Sequence, residues 1–170
     1  MKKLLLIGAI ALSGASMMNA QSGLKIGAHL GLPIGDIADT TSFNFGVDAA
    51  YTWKIAENFD LGVTTGYSHY TGKEYTYEIP FLGTQTVKGE GTGMIPIAAT
   101  AQYSFGNGPF VGADLGYAFF TGENSDGGLY YQPKVGYTFT GKHDVYLGYK
   151  GVSLDGITVS SVNLGYAFKF

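Results

Sequence analysis

Apolar residues alternate with small or polar ones along most of this chain, in bursts separated by turn-forming residues. The stretch "LKIGAHLGL" (24–32) sets Leu24, Ile26, Ala28 and Leu30 against Lys25, Gly27 and His29. Comparable bursts occupy 43–53, 59–70, 94–105, 110–120, 129–139, 145–151 and 158–170, so eight segments carry the pattern. A period of two marks a strand whose two faces meet different surroundings. Beyond residue 20 no stretch sustains a helical period. Most segments approach the roughly 9–11 residues with which a tilted strand crosses a bilayer.

The connections alternate in length. "KIAEN", "GNGP" and "TGKHD" follow the second, fourth and sixth segments and are tight turns of Gly, Asn and Asp type. The other links are generally longer. The largest, 71–93, alternates in its own right, which predicts that the third and fourth strands continue as a hairpin beyond the membrane. Short turns at one end, long loops at the other and an even strand count predict an all-β fold. The expected architecture is an eight-stranded antiparallel up-and-down transmembrane β-barrel with both termini periplasmic. "LGYAF" at 115–119 returns at 164–168, a hairpin-level echo that places Gly on one face and Tyr on the other.

The two faces differ in kind. One carries the aliphatic and aromatic residues, with Tyr51, Trp53, Tyr103, Phe105, Tyr137, Phe139 and Phe168 near the short turns and Tyr67, Tyr117, Phe119, Tyr131 and Tyr149 near the long loops. Two aromatic belts around an apolar band are expected where a barrel meets both lipid–water interfaces. The other face carries glycines together with Lys25, His29, Asp48, Asp60, Asp114, Lys134, Lys150 and Lys169. These charges should pair or meet trapped water, because an isolated charge in a narrow lumen is costly. A barrel of this strand number is filled by its own side chains, so a plugged polar interior is expected, with a narrow channel for ions or small solutes as the alternative. A soluble lipid-carrying barrel would reverse the faces. Pro96 and Pro133 lack the ladder N–H and call for a bulge or local fraying.

Composition sharpens this picture. Glycine numbers 27, and Tyr and Phe number 13 and 11, too many aromatics for a disordered chain. There is no Cys, so disulfides and a lipidated cysteine are excluded. Residues 1–20 read as a cleaved signal peptide: Lys2 and Lys3, an apolar run from Leu4 to Leu12, then small residues. Residues 21–170 form the barrel domain. Without Lys2 and Lys3 the ten basic residues fall to eight against thirteen acids, a net charge of −5. No nucleic-acid partner is expected of such a chain.

The final strand carries the resemblance. Leu164, Tyr166, Phe168 and Phe170 alternate to the last residue. With the signal peptide, the eight segments and the loop asymmetry, the chain resembles the small outer-membrane β-barrel proteins of Gram-negative bacteria, of the OmpX type and the OmpA transmembrane-domain type. The resemblance implies that these four residues are read by the barrel-assembly machinery and that the protein sits among outer-membrane lipids as a monomer. Nothing follows Phe170, so no peptidoglycan-binding domain is expected.

Candidate chemistry is sparse. His29 could serve as a proton-linked gate, although a satisfied interior histidine is the plainer reading. Ser68 and His69 are adjacent, so on a strand they face opposite sides and cannot form a nucleophile–base pair. His143 and Asp144 are read as solvated turn residues. The long loops carry Asp36, Asp39, Glu74, Glu78, Glu90, Glu123, Asp126 and Asp155 against Lys73 and Lys88; a solvated acidic surface is the plainer account of them. No cofactor, metal or catalytic motif appears, and a non-enzymatic structural or surface-interaction role is expected. The hairpin 71–93, with Tyr75, Tyr77 and Phe81, is the expected contact element.

Overall fold

The computed structural model describes residues 23–79, 83–89, 91–122, 127–154 and 156–170. The expected signal peptide, Phe81, Glu90, Glu123, Asp126 and Asp155 lie outside the described residues. Eight strands form the barrel: β1 (Gly23–Ile34), β2 (Thr41–Ala56), β3 (Phe59–Gly72), β6 (Thr92–Ser104), β7 (Pro109–Thr121), β8 (Gly127–Phe139), β9 (His143–Ser153) and β10 (Thr158–Lys169). Two shorter strands, β4 (Glu74–Ile79) and β5 (Gly83–Lys88), form a separate two-stranded ribbon, which is the expected hairpin beyond the third and fourth barrel strands. A single 3-10 turn, Gly35–Ile37, lies between β1 and β2.

The ring closes in the order β1-β10-β9-β8-β7-β6-β3-β2, every pair antiparallel. Closure matters because no sheet edge can be left unpaired in hydrocarbon. The seam between β1 and β10 runs from Lys25↔Lys169 to Ile34↔Ser160 and is extended by the Phe170 N–H, which donates to the Leu24 carbonyl at 2.9 Å. Positive φ occurs at the tight turns, at Gly106 (58°), Thr140 (52°) and Gly141 (72°), and in the longer connections at Gly35 (67°) and Gly156 (91°). Glycine takes this conformation without steric cost.

The side chains sort as the alternation requires. Leu30, Leu32, Leu115 and Leu164 are all more than half exposed, an arrangement that is unfavourable in water and natural in lipid. At the short-turn end the belt aromatics pair along each strand: Tyr51 with Trp53 at 5.2 Å between ring centroids, Tyr103 with Phe105 at 5.0 Å, and Phe168 with Phe170 at 4.9 Å. Tyr117 and Phe119 do the same at the long-loop end, at 5.0 Å.

Of the two expected ways of holding the prolines, local fraying is the one present. Between β3 and β6 the pairing runs to Thr65↔Ile97 and resumes at Ser68↔Met94 in the same register. Between β8 and β9 it stops at Tyr131↔Gly151 and resumes at Lys134↔Gly148. Each proline interrupts the ladder on one side only, with no bulge, because Pro96 and Pro133 remain paired to β7 through Ala118 and Ala113. The Thr65 hydroxyl donates to the Pro96 carbonyl at 2.8 Å and satisfies one of the groups the interruption exposes.

Candidate functional site

The lumen is built in layers. At the short-turn end a vestibule of about 420 Å³ is lined by Lys54, Glu57, Asp60 and Lys169 among others. Asp60 and Lys169, both expected in the interior network, sit at this mouth. Above it, Lys25 donates to Asp144 Oδ2 at 2.7 Å and to Gln102 Oε1 at 3.0 Å, while Thr138 holds the other Asp144 oxygen at 2.7 Å. Asp144 is buried, so its reading as a solvated turn residue is corrected. It alternates inward on β9, whereas His143 faces outward, 2.8 Å from the Tyr166 hydroxyl. A cavity of about 50 Å³ follows, lined by Asp48, Thr52, Asp114, Lys134 and Tyr146. There Lys134 makes a two-pronged contact to Asp114 at 2.8 and 3.0 Å.

The next layer joins His29, Asp48, Ser68 and Lys150. His29 Nδ1 lies 2.7 Å from Asp48 Oδ2, and His29 Nε2 lies 3.1 Å from Ser68 Oγ. Lys150, fully buried, places its ammonium 2.9 Å from Ser68 Oγ and 3.0 Å from His29 Nε2. Lysine offers only donors and the carboxylate only acceptors. The imidazole tautomer with its proton on Nδ1 satisfies both neighbours; this assignment follows from the partners. Tyr146 adds a hydroxyl to Asp48 at 3.3 Å.

Registry explains how these groups meet. His29, Gly46 and Ser68 form one row across β1, β2 and β3, and Gly165 flanks His29 on β10. A Cβ on Gly46 would collide with the His29 ring and with the Tyr67 carbonyl. Glycine therefore clears the space through which the ring reaches Ser68. Testing Ser68 only against its neighbour His69 missed this partner, because the contact crosses two strands. His69 points outward and packs on Phe45.

Toward the long loops the lumen turns apolar. Tyr70, Met94, Ala98, Ala118, Tyr130, Val152 and Val159 form one buried cluster, with Ile37, Phe120 and Leu154 packed against it. None of these was placed inside from sequence. Asn44 and Asn163, both fully buried, flank Gly31 between this cluster and the Lys150 layer. Among the described residues no three His, Asp or Glu side chains converge as metal ligands would.

The outer face, the closed ring and the charged lumen together describe a lipid-embedded barrel, and the family model of the outer membrane protein β-barrel domain matches residues 4–170. The chain belongs to this outer-membrane β-barrel family. Membership places it in the outer membrane of Gram-negative bacteria. Among solved structures it is similar to Ail, the attachment invasion locus protein of Yersinia pestis, with a TM-score of 0.55, 14% identity, and coverage of 90% of this chain and 100% of that one. The N-terminal barrel domain of Pseudomonas aeruginosa OprF gives 0.53 at 16% identity, covering 89% of this chain and 100% of that domain. The outer membrane enzyme PagL gives 0.56 at 15% identity, covering 85% and 98%. At these identities the likeness is one of fold. No curated protein sequence matches the chain.

Proposed function

We propose that this outer-membrane barrel is non-enzymatic, with a plugged lumen and a structural or surface-interaction role at the long-loop end. In this reading the signal peptide is cleaved, the short turns face the periplasm, and the barrel is a monomer in outer-membrane lipids. The observation that carries it is the stacking of the apolar cluster around Tyr70, Met94 and Val152 on the fully buried Lys150 layer, while the β4–β5 ribbon stands beyond the barrel. Planar-bilayer recording tests it: the purified protein should be electrically silent, and steady openings would replace this reading with the channel alternative. One feature favours that alternative, the cavity beside Lys134, whose lining shares Lys25, Gln102 and Asp144 with the vestibule.

An enzymatic role for Ser68 finds little support. The Asp48–His29–Ser68 spacing resembles a nucleophile–base–acid set. Yet Ser68 is fully buried and Lys150 donates to its oxygen. Ser68→Ala should leave outer-membrane lipid turnover at background while lowering stability by about 1.5–3 kcal/mol, as for a lost hydrogen bond to a charged group. Labelling of Ser68 by a fluorophosphonate would contradict this.

Leu164, Tyr166, Phe168 and Phe170 are proposed as the address read by the assembly machinery. Phe170→Ala should reduce the amount of folded protein in the outer membrane of cells while leaving refolding of the purified chain into detergent nearly unchanged. An equal loss in both settings would assign Phe170 to barrel stability alone.

A further inference from the structure

We propose that the outer wall of the barrel binds one anionic phospholipid, with its headgroup at the turn between β8 and β9 and an acyl chain laid in a groove over β2, β1 and β10.

The headgroup end is built from three side chains. Lys142 is exposed in the turn, and its ammonium lies 5.9 Å from the centre of the Phe168 ring, on the lipid-facing wall. Such a contact holds the cation over an aromatic face without neutralising it. Among the described residues no carboxylate pairs with this ammonium. Asp144, the nearest acid along β9, turns inward to Lys25. His143 stands beside Lys142 on the same wall, with its ring 5.1 Å from that of Phe168. The Tyr166 hydroxyl donates to His143 Nδ1 at 2.8 Å, an assignment that leaves the ring proton on Nε2. A lysine ammonium and an imidazole N–H therefore face the lipid–water boundary together, and both complement a phosphate. The other short turns do not repeat this. Lys54 and Glu57 of the β2–β3 turn both line the vestibule, and "GNGP" carries no charge.

The groove begins one row deeper in the membrane. Registry sets Ala28 between Tyr166 on β10 and Val47 on β2, with Val145 beyond Tyr166. Ala28 is the small residue of that row, and Leu30, Phe45 and Leu164 rise around it. The depression it leaves holds about 510 Å³. A second one, of about 380 Å³, shares Leu30 and Leu164 with the first and runs on to Leu32, Phe43 and Val162. Neither is lined outwardly by a charged side chain.

Length fits a single chain of one leaflet. From Phe168 to Val162 the outward residues of β10 advance six positions, roughly 20 Å at about 3.4 Å per residue. At a strand tilt of about 40° this covers ~15 Å of depth. That is half of a hydrocarbon core about 30 Å thick. The path thus leads from the boundary on the short-turn side to the middle of the bilayer.

The test uses the full barrel, isotope-labelled and refolded into zwitterionic detergent, titrated with phosphatidylglycerol and followed by amide chemical shifts. Saturable shifts are expected at His143, Tyr166, Ala28 and Leu164, with phosphatidylcholine binding about fivefold more weakly. Lys142→Gln should weaken phosphatidylglycerol about fivefold, as for one lysine beside an anionic lipid surface. Ala28→Leu fills the groove and should abolish the saturable shifts at Leu164. Both positions face outward, so each variant tests the proposal separately in a folded barrel. Equal affinity for the two lipids, an unaffected Lys142→Gln, an unaffected Ala28→Leu, or shifts spread evenly around the ring overturns the proposal. So does saturation by glycerol phosphate alone, which would mark a site for free phosphate esters.

Discussion

Replacing Lys150 with methionine is expected to lower the unfolding free energy by about 3–6 kcal/mol, the loss of two buried hydrogen bonds from a charged donor at about 1.5–3 kcal/mol each. Urea titration of the detergent-refolded barrel, followed through its single tryptophan, Trp53, provides the measurement. Methionine keeps the length of the lysine stem and removes only the ammonium, so the loss reports electrostatics and hydrogen bonding more than volume. Ser68 Oγ and His29 Nε2 both lose their ammonium donor, keeping only each other at 3.1 Å, and Asp48 beyond the ring loses a nearby positive charge. The effect should be asymmetric. Lys150 is fully buried, whereas the Asp48 side chain keeps 25% of its exposure, so Asp48→Asn should cost less. The double variant should cost less than the sum of the two single ones, since neither charge is then left alone. A Lys150→Met barrel within about 1 kcal/mol of the parent would mean that the layer is not a coupled unit, because exposed ion pairs contribute no more than that.

The second large effect is electrical. Trimming the apolar cluster with Tyr70→Ala and Met94→Ala should turn a silent barrel into one with steady conductance at neutral pH. Tyr70 is nearly and Met94 fully buried in the lumen, so both side chains fill space that water would otherwise take. The vestibule and the cavity beside Lys134 already reach from the short-turn end to the Lys150 layer. Each truncation also costs about 2–5 kcal/mol as a core substitution, so the variants are to be recorded only after urea titration shows them folded. A folded double variant that stays silent would assign the seal to the polar layer alone.

Much of this architecture is legible in the alternation, because a strand in a membrane barrel has only two environments and its side chains must choose between them. Lys25, His29, Asp48, Asp114, Lys134 and Lys150 face inward for that reason, and the ribbon shows itself because the alternation does not stop at Gly72. Pairing across the lumen was harder to see. That Lys25 meets Asp144 and His29 meets Ser68 depends on stagger around the ring, which the sequence of a single strand does not carry. The clue for His29 was present in the glycines: a ring can cross Gly46 but not a larger residue. The apolar cluster escaped notice because Tyr70, Met94 and Val152 sit where strands pass into long loops, and there a buried lumen residue and a loop residue look alike. The prolines could be read only as far as a bulge or local fraying; that pairing is lost on one side alone depends on which neighbour each proline's missing N–H faces.

β1 and β10 are hydrogen-bonded neighbours drawn from opposite ends of the described chain. Their joining closes the longest loop in the protein and carries the largest entropic cost of any contact in it. Until it happens both strands present bare amides that hydrocarbon cannot tolerate. The sheet therefore cannot wait half-built inside the bilayer. Entry into the lipid and circularisation must proceed together, and a substitution that delays the zippering of Ile26 to Phe168 would hold the chain outside the membrane, however sound its other hairpins.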